Sequence, residues 1–392
     1  MIKKELRNLI LIIFAWKLLV IVFSNLSQLI FPLQTDFLGG GLLQYLLHLN
    51  FWGFINFDGE HYFSIARDGY LPLTYFYFPL YPILIKILAI VFGGSFTAYA
   101  ISGLILSNAF LFIAMVGLYK LAKMLYSEKS AYLTVIFLLT FPTNFFLGSF
   151  YNDSLFLAFA VWSFYFAIKK NWLPAIILAG LASATRVVGI ALAAGIAIEY
   201  LFGELRLNQL LPLKERTCKV VAKGLIVGVL SVLGLLIYMV YLRNKTGSAL
   251  EFFRNVSIFG EQRSTDLIML PQVFYRYFFK ILPNINYNYF PAVFTAYLEI
   301  ISAFFAVIVI TIIIFKSRAS LTVFSILAFL IPAFSGSFSS MPRYLLAIFP
   351  IFLLTGKYLD TKSKAFSYTL FALLLLSTLF AVSLFIRGYF VS

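Results

Sequence analysis

The residues able to do chemistry gather in one stretch, NFDGEHYFSIARDGYLPLTYFYFPLYP, residues 56–82. It holds four charged side chains, Asp58, Glu60, Arg67 and Asp68, and one of the two histidines of the sequence, His61. From Asn56 to Asp68 the apolar and aromatic positions recur with a helical period, and Gly69 supplies the residue type that ends helices. On such a helix Asp58, His61, Tyr62 and Ile65 share one face, at i, i+3, i+4 and i+7. A carboxylate there can orient or remove the proton of a hydroxyl, which is a poor nucleophile until that happens. The start of a helix also keeps an acid ionised. Aspartate is equally a favoured N-cap, so Asp58 reads as a base, a cap or both. Glu60 and Asp68 read either as site acids or as solvated helix-end charges. His61 reads as a hydrogen-bonding residue of the site. Its only companion, His48, lies far from any carboxylate at ligand spacing, so no divalent metal is called for, although none is barred.

Three further places carry charge where a membrane chain should avoid it. Arg186, in SATRVVG, sits within an apolar run. It either pairs with an acid of another helix or holds a phosphate in its guanidinium fork. Arg343 and Tyr344, in MPRY, open an apolar segment, where Arg343 reads as a phosphate ligand or a headgroup anchor. Asn152-Asp153 opens another, with Asp153 as a cap or a second acid of the site. Residues 243–290 mix six cations, Arg263 and Arg276 among them, with four tyrosines that can stack on sugars or decorate an interface. Lys17, inside the first apolar run, reads as a snorkelling or paired side chain.

The elements that position these residues are membrane helices. The chain is 392 residues long, 62% hydrophobic and only 11% charged, far below the quarter usual in soluble domains. Its net charge of +15 falls mostly in short turns between apolar spans, so it reports topology and anionic lipid rather than nucleic acid. One cysteine, Cys218, excludes an internal disulfide. The run Leu9–Phe31 is too long for a signal-peptide core and follows Lys3, Lys4 and Arg7, which places the N-terminus in the cytoplasm. Residues 78–92 fall short of the roughly twenty needed to span, and the lysines at 120, 123 and 129 fall inside if they lie along the interface. Further spans are expected at 97–123, 131–147, 154–168, two half-length helices within 172–203, one ending near 242, and 291–315, 319–334, 343–357 and 364–386. Arg206, Lys214 and Arg216 mark one inside turn. The expectation is one all-α polytopic domain over residues 1–392 with about eleven spans. Its two large loops, 32–96 and 243–290, lie on the outer face, opposite the basic turns.

Phe57-Asp-Gly-x-His-Tyr-x-x-Ile-Ala-x-x-Gly-Tyr70, followed by Phe-Pro-Leu-Tyr-Pro at 78–82, resembles the first lumenal loop of the PIG-V-type mannosyltransferases. These are the GPI mannosyltransferase II family and its bacterial relatives, within the GT-C superfamily. Phe57 stands where that family often has Trp. The resemblance is specific across 57–82 and topological elsewhere. It implies a GT-C-like bundle with juxtamembrane helices in the first outer loop, the second of them at 79–92. It also implies a polyprenyl-phosphate-sugar donor, inversion at the anomeric carbon, and Asp58 as the essential acid. The family's Arg-x-x-Gly is met by Arg186 and Gly189.

Together these readings give an inverting membrane glycosyltransferase acting on the outer or lumenal face, in the plasma membrane if bacterial or the endoplasmic reticulum if eukaryotic. Mannose is the expected sugar, and a hydroxyl of a lipid- or glycan-linked acceptor the expected target. Asp58 is the expected catalytic residue, with Glu60, His61, Tyr62, Asp153, Arg186, Arg343 and Tyr344 around the substrates. With no Gly-rich phosphate loop after a strand, no nucleotide site is expected. A carrier or flippase of lipid-linked sugars, or a ligase or polymerase of pyrophosphate-linked glycans, stand as rivals.

Overall fold

The computed structural model describes residues 2–207, 213–256 and 263–391, and within these all the regular elements are helices. The first group is α1 (Ile2–Ile30), α2 (Leu42–Leu47), α3 (Leu49–Trp52), α4 (Asp58–Asp68), α5 (Leu80–Val91), α6 (Phe96–Leu125) and α7 (Glu128–Thr140). Then come α8 (Asp153–Ile168), α9 (Trp172–Ser183), α10 (Gly189–Leu207), α11 (Leu213–Ser231), α12 (Leu233–Thr246) and α13 (Glu251–Arg254). The C-terminal group is α14 (Leu270–Arg276), α15 (Phe290–Lys316), α16 (Ala319–Ala333), α17 (Met341–Leu345), α18 (Phe349–Asp360) and α19 (Lys364–Ile386). The side chains of Arg206, Lys214 and Arg216, expected to mark an inside turn, lie outside the described residues.

Among the described residues α1, α6, α15 and α19 are long and apolar enough to cross a bilayer, so the chain is an integral membrane protein. The helices Cys218–Ser231 and Leu233–Thr246, of α11 and α12, pass the same test together with a bend of 55°, the geometry of a broken span or a re-entrant loop. Against the expectation of about eleven spans, four helices among the described residues are long and apolar enough to cross by themselves, or five if the bent pair is one span, and the other apolar helices are shorter. Proline is one reason. The segment expected at 131–147 stops at Thr140, where Phe141 turns extended ahead of Pro142, and continues as a 3-10 turn over Asn144–Gly148. The segment expected at 343–357 is likewise divided, since α17 ends at Leu345 and α18 restarts with Pro350 in its first turn. A hydropathy reading adds apolar residues across such breaks and sees one span.

Other local expectations hold. Residues 172–203 are divided into two helices as expected, α9 of 12 residues and α10 of 19, the second longer than a half-span, and their junction closes tightly around Gly189, where an added Cβ would come within 2.4 Å of the Ser183 Cα. The helix expected to end near 242 is broken at Val232 instead. There Gly234 packs so closely on α9 that a Cβ would meet the Gly180 carbonyl, and the Ser183 hydroxyl accepts the Leu235 N–H at 3.1 Å. A side-chain acceptor inserted into the backbone ladder is a standard cause of a kink. Residues 80–91 form a helix of 12 residues, about 18 Å long and too short to span.

The shorter helices are packed among the long ones. α6 lies against α7 and α8, α18 against α7, α10 against α9, α11 and α16, and α1 along α19. Their apolar faces form one continuous core, and a second cluster, including Trp52, Tyr62, Tyr81 and Phe150, lies under α4. The start of α4 is clamped to the end of α19 by a buried asparagine. Asn56 accepts the Gly39 N–H at 2.9 Å and donates to the Phe385 carbonyl at 3.0 Å. That clamp fixes where Asp58 begins.

Candidate active site

Asp58 is the first residue of α4, and its carboxylate does not cap the helix. Phe57 occupies the N-cap position with φ 59°, and no side chain caps the turn. A positive φ at a bulky residue is strained, and such strain gathers at sites whose side chains must be aimed. What the strain accompanies is an Asp58 turned toward other elements. Its Oδ2 accepts from Arg343 at 2.5 Å, and its Oδ1 accepts from the Tyr77 hydroxyl at 3.1 Å. The capping role considered for Asp58 is therefore corrected. The carboxylate is held below its ordinary range: burial alone would raise its pKa, but the Arg343 charge and hydrogen bond outweigh burial, helped by His61 and Tyr77.

Arg343 sits in α17, three residues after Ser340, itself at φ 62°. Its guanidinium bridges two acids, since its Nε donates to Asp153 Oδ2 at 3.1 Å. Asp153 opens α8, with Asn152 as the N-cap residue and no side-chain cap bond, so the capping role weighed for Asp153 is corrected as well. Its second oxygen, Oδ1, accepts from Arg186 in the turn between α9 and α10. The result is a chain of alternating charge, Asp58–Arg343–Asp153–Arg186, drawn from four separate segments. The side chains of Asp153, Arg343 and Arg186 are 1%, 8% and 9% exposed, whereas Asp58 is 29% exposed. Charges taken out of water need excellent geometry and full pairing, and all four carboxylate oxygens here have donors. The open end of the chain is a carboxylate.

Aromatic rings wall the chain. The Arg343 guanidinium lies over Tyr151 at 4.5 Å and Phe146 at 5.1 Å. Tyr344 takes two cations, Arg186 at 5.5 Å and Arg263 at 5.3 Å. Of the other residues expected at the site, His61 stacks on Tyr77 at 5.0 Å beside Asp58, and burial lowers its pKa against the opposing charge of Asp58. Tyr62 is buried beneath, edge-on to Tyr77 and Tyr81. Glu60 is not part of the charge chain. It stands about 200° around α4 from Asp58, its Oε1 is buried without a hydrogen-bond partner, and burial raises its pKa to about 7. Asp68 closes on its neighbour Arg67 at 2.7 Å, at the far end of the helix. Tyr77 and Tyr151 were not singled out from the sequence. Tyr77 lies in the quoted stretch, just before FPLYP, but one aromatic among many carries no mark of a carboxylate partner. Among the described residues no three His, Cys, Asp or Glu side chains converge as a metal site would need.

A buried run of carboxylates and guanidiniums ending in an accessible acid can bind an anion at its cations and a hydroxyl at its acid. Residues 77–242 match the family of dolichyl-phosphate-mannose-protein mannosyltransferases. The matched stretch takes in Tyr77, Asp153 and Arg186 and leaves Asp58 and Arg343 outside it. No curated protein sequence matches the chain. Among solved structures, the Archaeoglobus fulgidus oligosaccharyltransferase in complex with Zn and sulfate is 11% identical, with a TM-score of 0.47 over 97% of this chain and 53% of that one. The oligosaccharyltransferase AglB of the same organism, in complex with an inhibitory peptide and a dolichol-phosphate, is 12% identical, with a TM-score of 0.46 over 98% of this chain and 56% of that one. This chain thus spans about half the length of those structures.

Proposed function

We propose that this protein is a membrane glycosyltransferase that moves a sugar, mannose in the first instance, from a polyprenyl-phosphate-sugar donor to a hydroxyl of a lipid- or glycan-linked acceptor. The observation that carries the reading is the charge chain from Asp58 to Arg186, with its one accessible carboxylate. The family match over 77–242 and the PIG-V-like stretch at 57–82 support the donor class. The outer or lumenal face is the side we assign to the site, from the distribution of basic turns.

In this mechanism the acceptor hydroxyl gives its proton to Asp58 as its oxygen bonds to the anomeric carbon from the face opposite the phosphate. The bond from that carbon to the phosphate oxygen breaks, and prenyl phosphate leaves with the electron pair and one more negative charge than it bore in the donor. Inversion follows from the single displacement. The leaving group needs positive charge more than a proton, which Arg343 and Arg186 supply. Asp58 bound to Arg343 is a weak base. A donor phosphate drawing Arg343 away would let the pKa of Asp58 rise and strengthen it as a base only when donor is present.

The test uses membranes containing the protein, radiolabelled prenyl-phosphate mannose and endogenous acceptor. The expected result is label transferred to acceptor with loss of donor, absent in Asp58→Asn membranes. Consumption of pyrophosphate-linked glycan instead would favour the ligase, and movement of intact donor across the bilayer without cleavage would favour the carrier.

A further inference from the structure

Away from the charge chain, a cavity of about 290 Å³ opens between α1 and α6 under the segment that leads into α4. Lys17, Asn50 and Asn108 are its polar lining, and Phe54, Ile101 and Ile105 are among its apolar lining. Those two isoleucines are 37% and 46% exposed on the apolar surface of a spanning helix, so the cavity communicates with lipid. Lys17 is the only charge of α1 beyond Arg7. A lysine within a spanning helix is expected to pair with an acid or to reach water. Among the described residues it does not pair: its ammonium donates to the Gly148 carbonyl at 3.3 Å and lies over the Phe54 ring at 5.1 Å, with no acid acting on it. That carbonyl is shared, since Asn108 donates to it at 3.1 Å and to the Leu104 carbonyl at 2.7 Å, which commits both N–H groups of its amide. An ammonium has three donors, so most of its capacity is left for whatever enters the cavity.

We propose that this cavity is a binding site for the phosphate of an anionic phospholipid, with Lys17 as its charge partner, the Asn50 amide beside it with one N–H beyond its bond to Asn25 Oδ1 at 3.0 Å, and the acyl chains leaving past Ile101 and Ile105. A free anion would have no use for the apolar lining, and a neutral lipid would leave the ammonium unpaired. The site lies behind the active segment. Phe54 is close in sequence to Asp58, and its carbonyl accepts the Phe150 N–H at 2.9 Å, so a bound lipid would brace the strand of chain that enters α4.

The experiment is native mass spectrometry of the purified full chain released from nanodiscs of phosphatidylcholine doped with phosphatidylglycerol and with undecaprenyl phosphate. Wild type should retain phosphatidylglycerol adducts, and Lys17→Met, which keeps length and loses charge, should reduce them about fivefold, as expected for one lysine at a lipid phosphate. Phosphatidylcholine adducts should be unchanged. Inorganic phosphate added in excess should not displace the lipid. Equal retention by wild type and Lys17→Met overturns the proposal, as does displacement by inorganic phosphate, which would make the ligand a free anion. Selective loss of prenyl phosphate rather than phosphatidylglycerol overturns it too, assigning the cavity to the donor. Should Lys17→Met not fold, Lys17→Gln, which keeps a donor and loses the charge, is read by the same criteria. Because the readout is bound lipid and not turnover, it stands or falls apart from the glycosyltransferase reading.

Discussion

Among the described residues, a buried acid meets arginine in two places, Glu199 at one and Asp153 at the other, and the two are built in opposite senses. Where α10 meets α16, Glu199 is 7% exposed and accepts from Arg318 at 2.5 Å and from Ser320 at 2.5 Å, while Arg318 is 45% exposed. There the carboxylate is sealed in and the cation faces outward. At the candidate site the guanidiniums of Arg343 and Arg186 are sealed in, and the exposed member is Asp58. The first arrangement ties two helices and offers nothing to a substrate except a solvated cation. The second spends two buried cations on fixing an acid that remains reachable, an arrangement expensive in desolvation and useful only if something must meet the acid. The difference in which partner is open, more than the presence of ion pairs, separates a site from a brace.

Asp58→Asn is the sharpest way to break this contrast. The variant leaves the N-terminus of α4 uncapped as before but takes one negative charge from the buried Arg343, so it should lose some stability as well as the base. On folded, detergent-stable protein, turnover should fall about 10²–10⁴-fold. An Asn variant with wild-type turnover would reduce Asp58 to another brace. Next in size is Asp153→Asn, which leaves two buried guanidiniums short of charge. It should cost about 3–5 kcal/mol of stability in thermal or denaturant unfolding. A loss within error of zero would mean that the arginines are solvated by something other than Asp153.

Glu60 tests the reach of the site by pH. Its pKa rises from an ordinary 4.5 to about 7 in the folded chain. Between those values the folded state keeps a proton that the unfolded state has released, so stability falls as pH rises from 4.5 to 7 and is flat above. Glu60→Gln should remove that slope, stabilising the protein at pH 8 by on the order of 2 kcal/mol and hardly at pH 4.5. A pH-independent effect would show that Glu60 is already paired. Smallest is Arg318→Lys, an exposed cation at the brace. It should change stability by less than about 1 kcal/mol and leave turnover untouched. A loss of turnover there would erase the distinction between the two places.

How much of this was legible in the sequence follows from how local each feature is. The helix 58–68 and its end at Gly69 were readable, because periodicity and a φ of 91° at that glycine are matters of neighbouring residues. The break before Gly189 was readable for the same reason. The span count was not, because half-length helices look like full spans when apolar residues continue across a proline. The rotation of Asp58 and Asp153 away from capping was also out of reach. A sequence shows an acid at a helix start, and only the position of another segment decides where it points.

The sequence by itself determined that this is a helical membrane protein whose polar residues concentrate in residues 56–82, because burial in lipid demands internally bonded backbone and leaves charge only where it is used. It also determined Asp58, Arg186 and Arg343 as charges needing an explanation. Only the tertiary structure decided that they explain one another. Asp58 and Arg343 are 285 residues apart in the chain, and Arg343 and Asp153 are 190 apart. No local pattern encodes such a meeting. It arises from the packing of α8 between the main core, which holds α17, and the second cluster, which holds α4, and this brings charges together that each segment alone would have to expose.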